Sequence, residues 1–363
     1  MSFSEADVQG ALKNLIDPNT QKDFASGKSL KSVKIDGNNV SVDIALGYPA
    51  KSVLDEIRAM IEAHLKAALP GSSVSANVTS KVVQHAVPHG AKLVDGVRNI
   101  IAVASGKGGV GKSTTAVNIA LALAAEGARV GMLDADIYGP SQPTMLGISG
   151  QPNTDGSHFM EPMINHGLQA MSIGFLIGGD DTPMIWRGPM VVQALEQLLR
   201  QTRWDDLDYL VVDLPPGTGD IQLSLAQQVP VTGAVIVTTP QDIALMDARK
   251  GLKMFEKVGI KILGIVENMS THICSKCGHE EHIFGSGGGE KMCADYNVEF
   301  LGGLPLDIRI REQTDSGKPT VVADPDGQVA KVYKQIARRI AVKIADMAQN
   351  RSAVFPKVVV QNT

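Results

Sequence analysis

Gly106-Lys107-Gly108-Gly109-Val110-Gly111-Lys112-Ser113-Thr114 is the stretch whose reading decides the fold. An apolar run, Ile100 to Ala104, precedes it, and a helical run, Ala116 to Ala125, follows. In a strand–loop–helix setting the glycines let backbone N–H groups turn inward around phosphate oxygens, and the helix N-terminus adds a favourable dipole. The spacing predicts a phosphate-binding loop over Gly106 to Thr114, built to hold ATP with Mg2+. Lys112 is expected to reach the β and γ phosphates, and the Ser113 hydroxyl to bind Mg2+. A glycine-rich turn without a ligand is the bland alternative, and the complete pattern in this context argues against it. As a surface feature, the loop is expected to accept Lys112→Ala with little effect on folding.

Outward from the loop, short apolar runs alternate with helical stretches: Arg129 to Leu133, Tyr209 to Leu214, Ala234 to Thr238 and Ile262 to Val266. Such runs, separated by helices, predict a doubly wound α/β fold with a mostly parallel sheet, here over residues 98–350. Ligands in that architecture sit beyond the carboxyl ends of strands. Asp134 and Asp136 follow one strand and Asp213 ends another. An acid at such a place can hold the Mg2+ shell, usually through water, and Asp213 is expected in that role. Asp136 is expected to orient or activate the attacking water. Asp134 stands open between a functional role and a helix cap. Gly217 and Gly219, in the run from Asp213 to Asp220, predict a mobile loop that senses the γ-phosphate.

The first 83 residues read as a separate small α/β domain. A helix is expected from Glu5 to Ile16, strands at Leu30 to Ile35 and Val40 to Ile44, a helix from Ser52 to Ala68 and a strand at Ser73 to Val78. Residues 84–97 read as a linker and 351–363 as a C-terminal tail.

Three cysteines occur: Cys274, Cys277 and Cys293. Cys274 and Cys277 form a C-x-x-C pair, able to grip one soft metal centre. A zinc or cubane site usually needs four ligands. Two chains about a two-fold axis supply four cysteines, which suits a [4Fe–4S] cluster shared between subunits. One rival closes a zinc site within one chain from Cys274, Cys277 and His279 or His282, with Cys293 as a further candidate; a redox or inert pair is the other. Cys293 falls in a helical stretch and reads as a core cysteine.

The net charge of −4 gives no bulk argument for nucleic-acid binding. No run is apolar and long enough to cross a bilayer, and the first residues lack the pattern of a signal peptide, so a cytoplasmic protein is expected. The last long helix carries an apolar stripe (Val329, Val332, Ile336, Ile340, Met347) beside Lys and Arg, a pattern that also suits a membrane surface.

Together, the phosphate loop, Asp213-Leu-Pro-Pro-Gly-Thr-Gly-Asp220, and Glu267-Asn-Met-Ser270 leading to the C-x-x-C pair and Ile283-Phe-Gly285 resemble the bacterial Mrp/ApbC iron–sulfur cluster carrier ATPases. Lys107, just after the first glycine, resembles the second lysine of the deviant loop in septum-site and plasmid-partition ATPases. In that superfamily it contacts phosphates bound by the partner subunit, which implies a catalytic role in trans. The resemblance further implies a homodimer, slow ATP hydrolysis, a bridging cluster on Cys274 and Cys277, and delivery to apo iron–sulfur proteins alongside cluster assembly factors. It implies that Asn268 faces the adenine, with Leu304 to Asp307 at the same end. The front unit, with its Asp17-Pro18 and Leu46-Gly-Tyr-Pro-Ala50, is similar to a small domain of iron–sulfur assembly factors. Two other classes remain open at this point: a positioning ATPase bound to membrane or DNA, and a cluster-bearing electron donor.

Overall fold

The computed structural model describes residues 3–85, 92–154, 156, 158–177, 188–274 and 276–354. Part of the expected linker and most of the expected tail lie outside these. The chain forms two compact units, one running to Val83 and including Ala125–Gly127, the other containing the remainder.

In the first unit, α1 (Glu5–Lys13) starts on a capping box: Ser4 accepts from the Asp7 N–H while the Asp7 carboxylate accepts from the Ser4 N–H. It ends at Lys13, short of the expected Ile16, because Asn14 caps it and Ile16 turns out to bridge Asp23. Strands β1 (Leu30–Asp36) and β2 (Asn39–Leu46) pair antiparallel; after α2 (Leu54–Ala68), β3 (Ser73–Ser80) joins β2 in parallel. Val40, Val42, Ile44 and Leu46 alternate onto the buried face with Val74, Ala76 and Val78, and Ile57, Ile61 and Leu65 of α2 supply the buried face of the helix. Tyr48 Oη donates to buried Asp17 at 2.8 Å, locking the two proline-containing turns together.

The second unit is wound around β4 (Ile100–Ala104), every residue of which is buried. After it come α3 (Lys112–Ala125), β5 (Val130–Asp134), α4 (Gln142–Met145), β6 (Met163–Asn165), β7 (Leu168–Ser172), α5 (Gly188–Arg200), β8 (Tyr209–Asp213) and α6 (Asp220–Gln228). The chain continues through β9 (Gly233–Thr238), α7 (Asp242–Lys257), β10 (Ile262–Ile273), β11 (Glu280–Glu281), α8 (Gly288–Tyr296), β12 (Phe300–Pro305), α9 (Ile308–Asp315), α10 (Thr320–Ala323) and α11 (Gln328–Val354). In the sheet, β10, β9, β4, β8, β5, β7 and β6 lie side by side, and β12 pairs with β10. Among the described residues of this sheet, only β6 and β11 pair antiparallel.

From β4 the chain moves outward to β5 and β7, returns to β8, then crosses to β9 and β10 on the other side. That reversal opens a crevice at the carboxyl end of β4, where the phosphate loop begins. Helix α3 is apolar almost all round, as befits a helix covered on most sides. Strand β10 runs to Ile273, well past the expected Val266. Its polar continuation, Glu267-Asn-Met-Ser-Thr-His272, gives no apolar signal but gains a partner in β12. Of the apolar stripe on α11, Ile336 and Ile340 are buried and Val329, Val332 and Met347 half-buried; Tyr333, Ala337 and Ile344 beside it are also buried, and α11 contacts β12 and β10. This helix continues to Val354, into the expected tail. Among the described residues no helix is long and apolar enough to cross a membrane.

Candidate functional site

The phosphate loop is positioned from below. Gly106 lies so close to α7 that a Cβ there would come within 2.2 Å of the Asp247 carbonyl carbon and oxygen. The first glycine is therefore required by helix packing as well as by any ligand. Gly111 has φ +81°, and a Cβ on it would lie 2.2 Å from Asn268 Nδ2. Ser105 Oγ donates to the Lys107 carbonyl at 2.9 Å, and the Gly217 N–H donates to the Ser105 carbonyl at 2.9 Å. The loop after β8 is thus tied to the base of the phosphate loop.

Three expected site residues meet at Lys112. Its Nζ donates to Asp213 Oδ1 at 2.5 Å and to Ser113 Oγ at 3.1 Å, and Asp136 Oδ2 lies 3.8 Å away. Lys112 is only 6% exposed and Asp213 is fully buried, so this is an internal ion pair. The expectation that Lys112→Ala would leave folding untouched is corrected: its removal strands a buried carboxylate. Asp136 keeps 13% exposure at the crevice. Its carboxyl is pushed above the ordinary value chiefly by burial, with Lys112 opposing and Asp213 adding to the rise.

Asp134 resolves to a scaffold residue. Its carboxylate accepts from the Asp136, Ser141 and Gln142 N–H groups at 3.2, 3.0 and 3.0 Å and from Ser172 Oγ at 3.0 Å. It therefore fastens the start of α4 and the end of β7. Asp134 and Asp213 are register partners on adjacent strands. Burial first, then the Asp213 charge, raises Asp134 to about 7. Gln142, which the sequence did not flag, donates to Asp213 Oδ2 at 3.0 Å and to the Ser113 carbonyl at 3.2 Å. It lies too far along the chain from either residue for spacing to reveal it.

Lys107 is exposed and, among the described residues, makes no ion pair. Asn268 donates from Nδ2 to the Val110 carbonyl at 2.9 Å, which places it against the phosphate loop. Ser113, Asp136 and Asp213 offer the hard oxygen donors that suit Mg2+.

The cysteine pair follows β10. The Gly278 N–H donates to the Cys274 carbonyl and the Cys274 N–H to the His279 carbonyl, both at 2.9 Å, so the loop closes on itself. The Cys274 thiol is shifted downward, first by the Lys276 N–H, then by the Cys277 N–H and side chain. Such a turn favours thiolate, the ligating form. Cys277 is exposed. Cys293 sits buried on α8, and burial followed by Glu267, Glu290 and Glu299 pushes its thiol up to about 12. His272 Nδ1 and His282 Nδ1 donate to the Leu306 and Ser270 carbonyls. Among the described residues no three His, Cys, Asp or Glu side chains gather as a metal set. Among the described residues Cys274, Cys277, His279, His282 and Cys293 are not gathered as one set, and Cys293 lies in the core.

Residues 96–341 match the family model described as NUBPL iron-transfer P-loop NTPase, and residues 5–78 match that of iron–sulfur cluster assembly proteins. The chain is 50% identical over 339 residues to the iron–sulfur cluster carrier protein of Escherichia coli strain K12, covering 93% of this chain and 91% of that one. It is 52% identical over 255 residues to the mouse iron–sulfur cluster transfer protein NUBPL, covering 70% and 80%. A nucleotide-binding protein from Archaeoglobus fulgidus, solved with ADP, aligns with a TM-score of 0.57 and 35% identity over 65% of this chain and 92% of that one.

Proposed function

The chain belongs to the iron-transfer P-loop NTPase family, and from that premise we propose that it hydrolyses ATP as a homodimer and carries a [4Fe–4S] cluster to apoproteins. The observation that carries the reading is the half-built cysteine site: a preorganised pair, Cys274 and Cys277, with no further ligand gathered around it among the described residues. A second chain supplies the missing two thiolates, and the cluster is cargo held between subunits. The curated relatives named as cluster carrier and transfer proteins support this function.

In the nucleotide site, Lys112 exchanges its Asp213 partner for phosphate oxygens, and the loop N–H groups from Gly108 to Thr114 cradle the phosphates. Ser113 and Asp213 would hold Mg2+, which when bound would supply charge neutralisation at the phosphates. Asp136, with its raised affinity for protons, takes the proton of the attacking water or orients it. Lys107, which is exposed, reaches the phosphates of the partner subunit. Asn268 borders the adenine end of the site.

The test is transfer. Protein reconstituted anaerobically with iron and sulfide is expected to activate an apo iron–sulfur enzyme, whereas Cys274→Ala is expected to fail while retaining ATPase activity. Equal activation by wild type and Cys274→Ala would defeat the proposal.

A further inference from the structure

Strand β10 joins the two sites and is irregular between them. Its pairing with β9 ends at Glu267, opposite Thr238. Its pairing with β12 then slips: Glu267 faces Gly303, and the next partners are Thr271 and Pro305. More residues pass on β10 than on β12, so Asn268, Met269 and Ser270 form a bulge. Met269 within it has φ +58°, a left-handed conformation unusual for a side chain with a Cβ.

Such a conformation persists where the surroundings over-determine it. Here Asn268 holds the Val110 carbonyl at 2.9 Å, next to Gly111 at φ +81°, whose Cβ position lies 2.2 Å from Asn268 Nδ2. On the other side Glu267, 2% exposed, accepts from the Gly289 N–H at 2.6 Å and from Ser270 Oγ at 2.8 Å. Beyond the bulge, the Thr271 carbonyl accepts from the Leu306 N–H at 2.7 Å and the Ser270 carbonyl from His282. Cys274 follows directly on the end of β10. At ~3.3 Å per residue, Asn268 and Cys274 are about 20 Å apart along the strand at most.

Resting on the reading of both sites given above, we propose that the β10 bulge couples them, with Asn268 and Met269 as positioning residues. When the phosphate loop closes on nucleotide, Val110 and Gly111 shift, Asn268 follows, and the strained bulge passes the change to the loop that presents Cys274 and Cys277. Coupling of this kind is reciprocal: whatever factor nucleotide imposes on the cysteine loop, a change at the cysteines imposes on nucleotide affinity.

The test uses the full-length protein without cluster. Iodoacetamide alkylation of Cys274 and Cys277 is followed residue by residue by mass spectrometry, with and without a saturating non-hydrolysable ATP analogue and Mg2+. Wild type is expected to change its alkylation rate by about 5-fold or more on nucleotide binding, the lower end of the usual range of coupling. Met269→Gly accepts φ +58° without strain and loosens the bulge. It is expected to bind the analogue with affinity within about 2-fold of wild type while the alkylation response falls below about 1.5-fold. Alkylation of the pair beforehand is expected to shift analogue affinity in wild type and not in Met269→Gly. Bound analogue with no change in wild-type alkylation would overturn the coupling and leave the nucleotide site intact. A full response in Met269→Gly would also overturn it, because subunit shielding alone would then explain the protection. Failure of wild type to bind the analogue would remove the nucleotide reading itself, and the coupling with it.

Discussion

Gly106→Ala separates the two reasons for a glycine in a phosphate loop. The added Cβ would fall 2.2 Å from the Asp247 carbonyl carbon and oxygen and 2.6 Å from the Ala248 nitrogen. These are backbone atoms of α7, so no side chain can swing away, and loop or helix must move by roughly 1 Å. Overpacking of this kind typically costs about 1–3 kcal/mol, and a backbone clash belongs at the upper end. At ~2–4 °C per kcal/mol for a unit of this size, the melting midpoint should fall by roughly 6–12 °C. Gly108 has nothing within 4 Å of its own Cβ position, so Gly108→Ala should melt within about 2 °C of wild type. The assay is thermal unfolding followed by tryptophan fluorescence without nucleotide. Trp204, buried in the second unit, reports the unfolding of that unit. Both variants are expected to bind ATP poorly, but only Gly106→Ala should lose stability. Equal midpoints for the two variants would refute the packing argument.

Three further outcomes follow from the site. Lys112→Ala should abolish hydrolysis and destabilise the fold by about 3–5 kcal/mol, because Asp213 is left charged and buried; adding Asp213→Asn should restore part of that loss in urea unfolding. Lys107→Ala chains mixed with Lys112→Ala chains, each inactive alone, should recover partial ATPase activity, since one site of the mixed dimer keeps its own Lys112 and receives the partner's Lys107; pairing the double variant with wild type in a mixed dimer should give none. Asp134 has a folded value of about 7 against an ordinary 3.8, so the folded state binds the extra proton between those limits. Its contribution is full below about pH 4 and is lost as pH rises through about 7. Asp134→Asn should be less stable overall but flatter in stability across that window.

The fold was legible where burial and periodicity coincide. All-apolar runs such as Ile100 to Ala104 and Tyr209 to Val212 announce central strands, because a strand covered on both faces needs no polar residue. The phosphate loop was legible because its ligand contacts come from consecutive residues. Long-range features were not. Gln142 reaches Asp213 across the tertiary fold, and nothing near it in sequence marks it. The far half of β10 is polar because it leaves the core, so its strand character comes from pairing with β12 rather than from composition. Strand β12 itself, Phe300-Leu-Gly-Gly-Leu-Pro305, carries turn residues, yet Gly303 is needed there: a Cβ would lie 2.9 Å from Ser270 Oγ. The burial of Lys112 was equally hidden, since a lysine at a loop–helix junction gives no sign that an aspartate on another strand will enclose it.

The central claim is that Cys274 and Cys277, and not Cys293, hold a cluster shared by two chains. Its most direct test is iron and sulfide counting with an optical spectrum after anaerobic reconstitution, on protein sized by analytical ultracentrifugation. Wild type and Cys293→Ala are expected to carry about four irons per dimer, the content of one cubane cluster. Cys274→Ala and Cys277→Ala are expected to lose the broad absorbance. One zinc per monomer, retained by a single chain and dependent on Cys293 or a neighbouring histidine, would contradict the account.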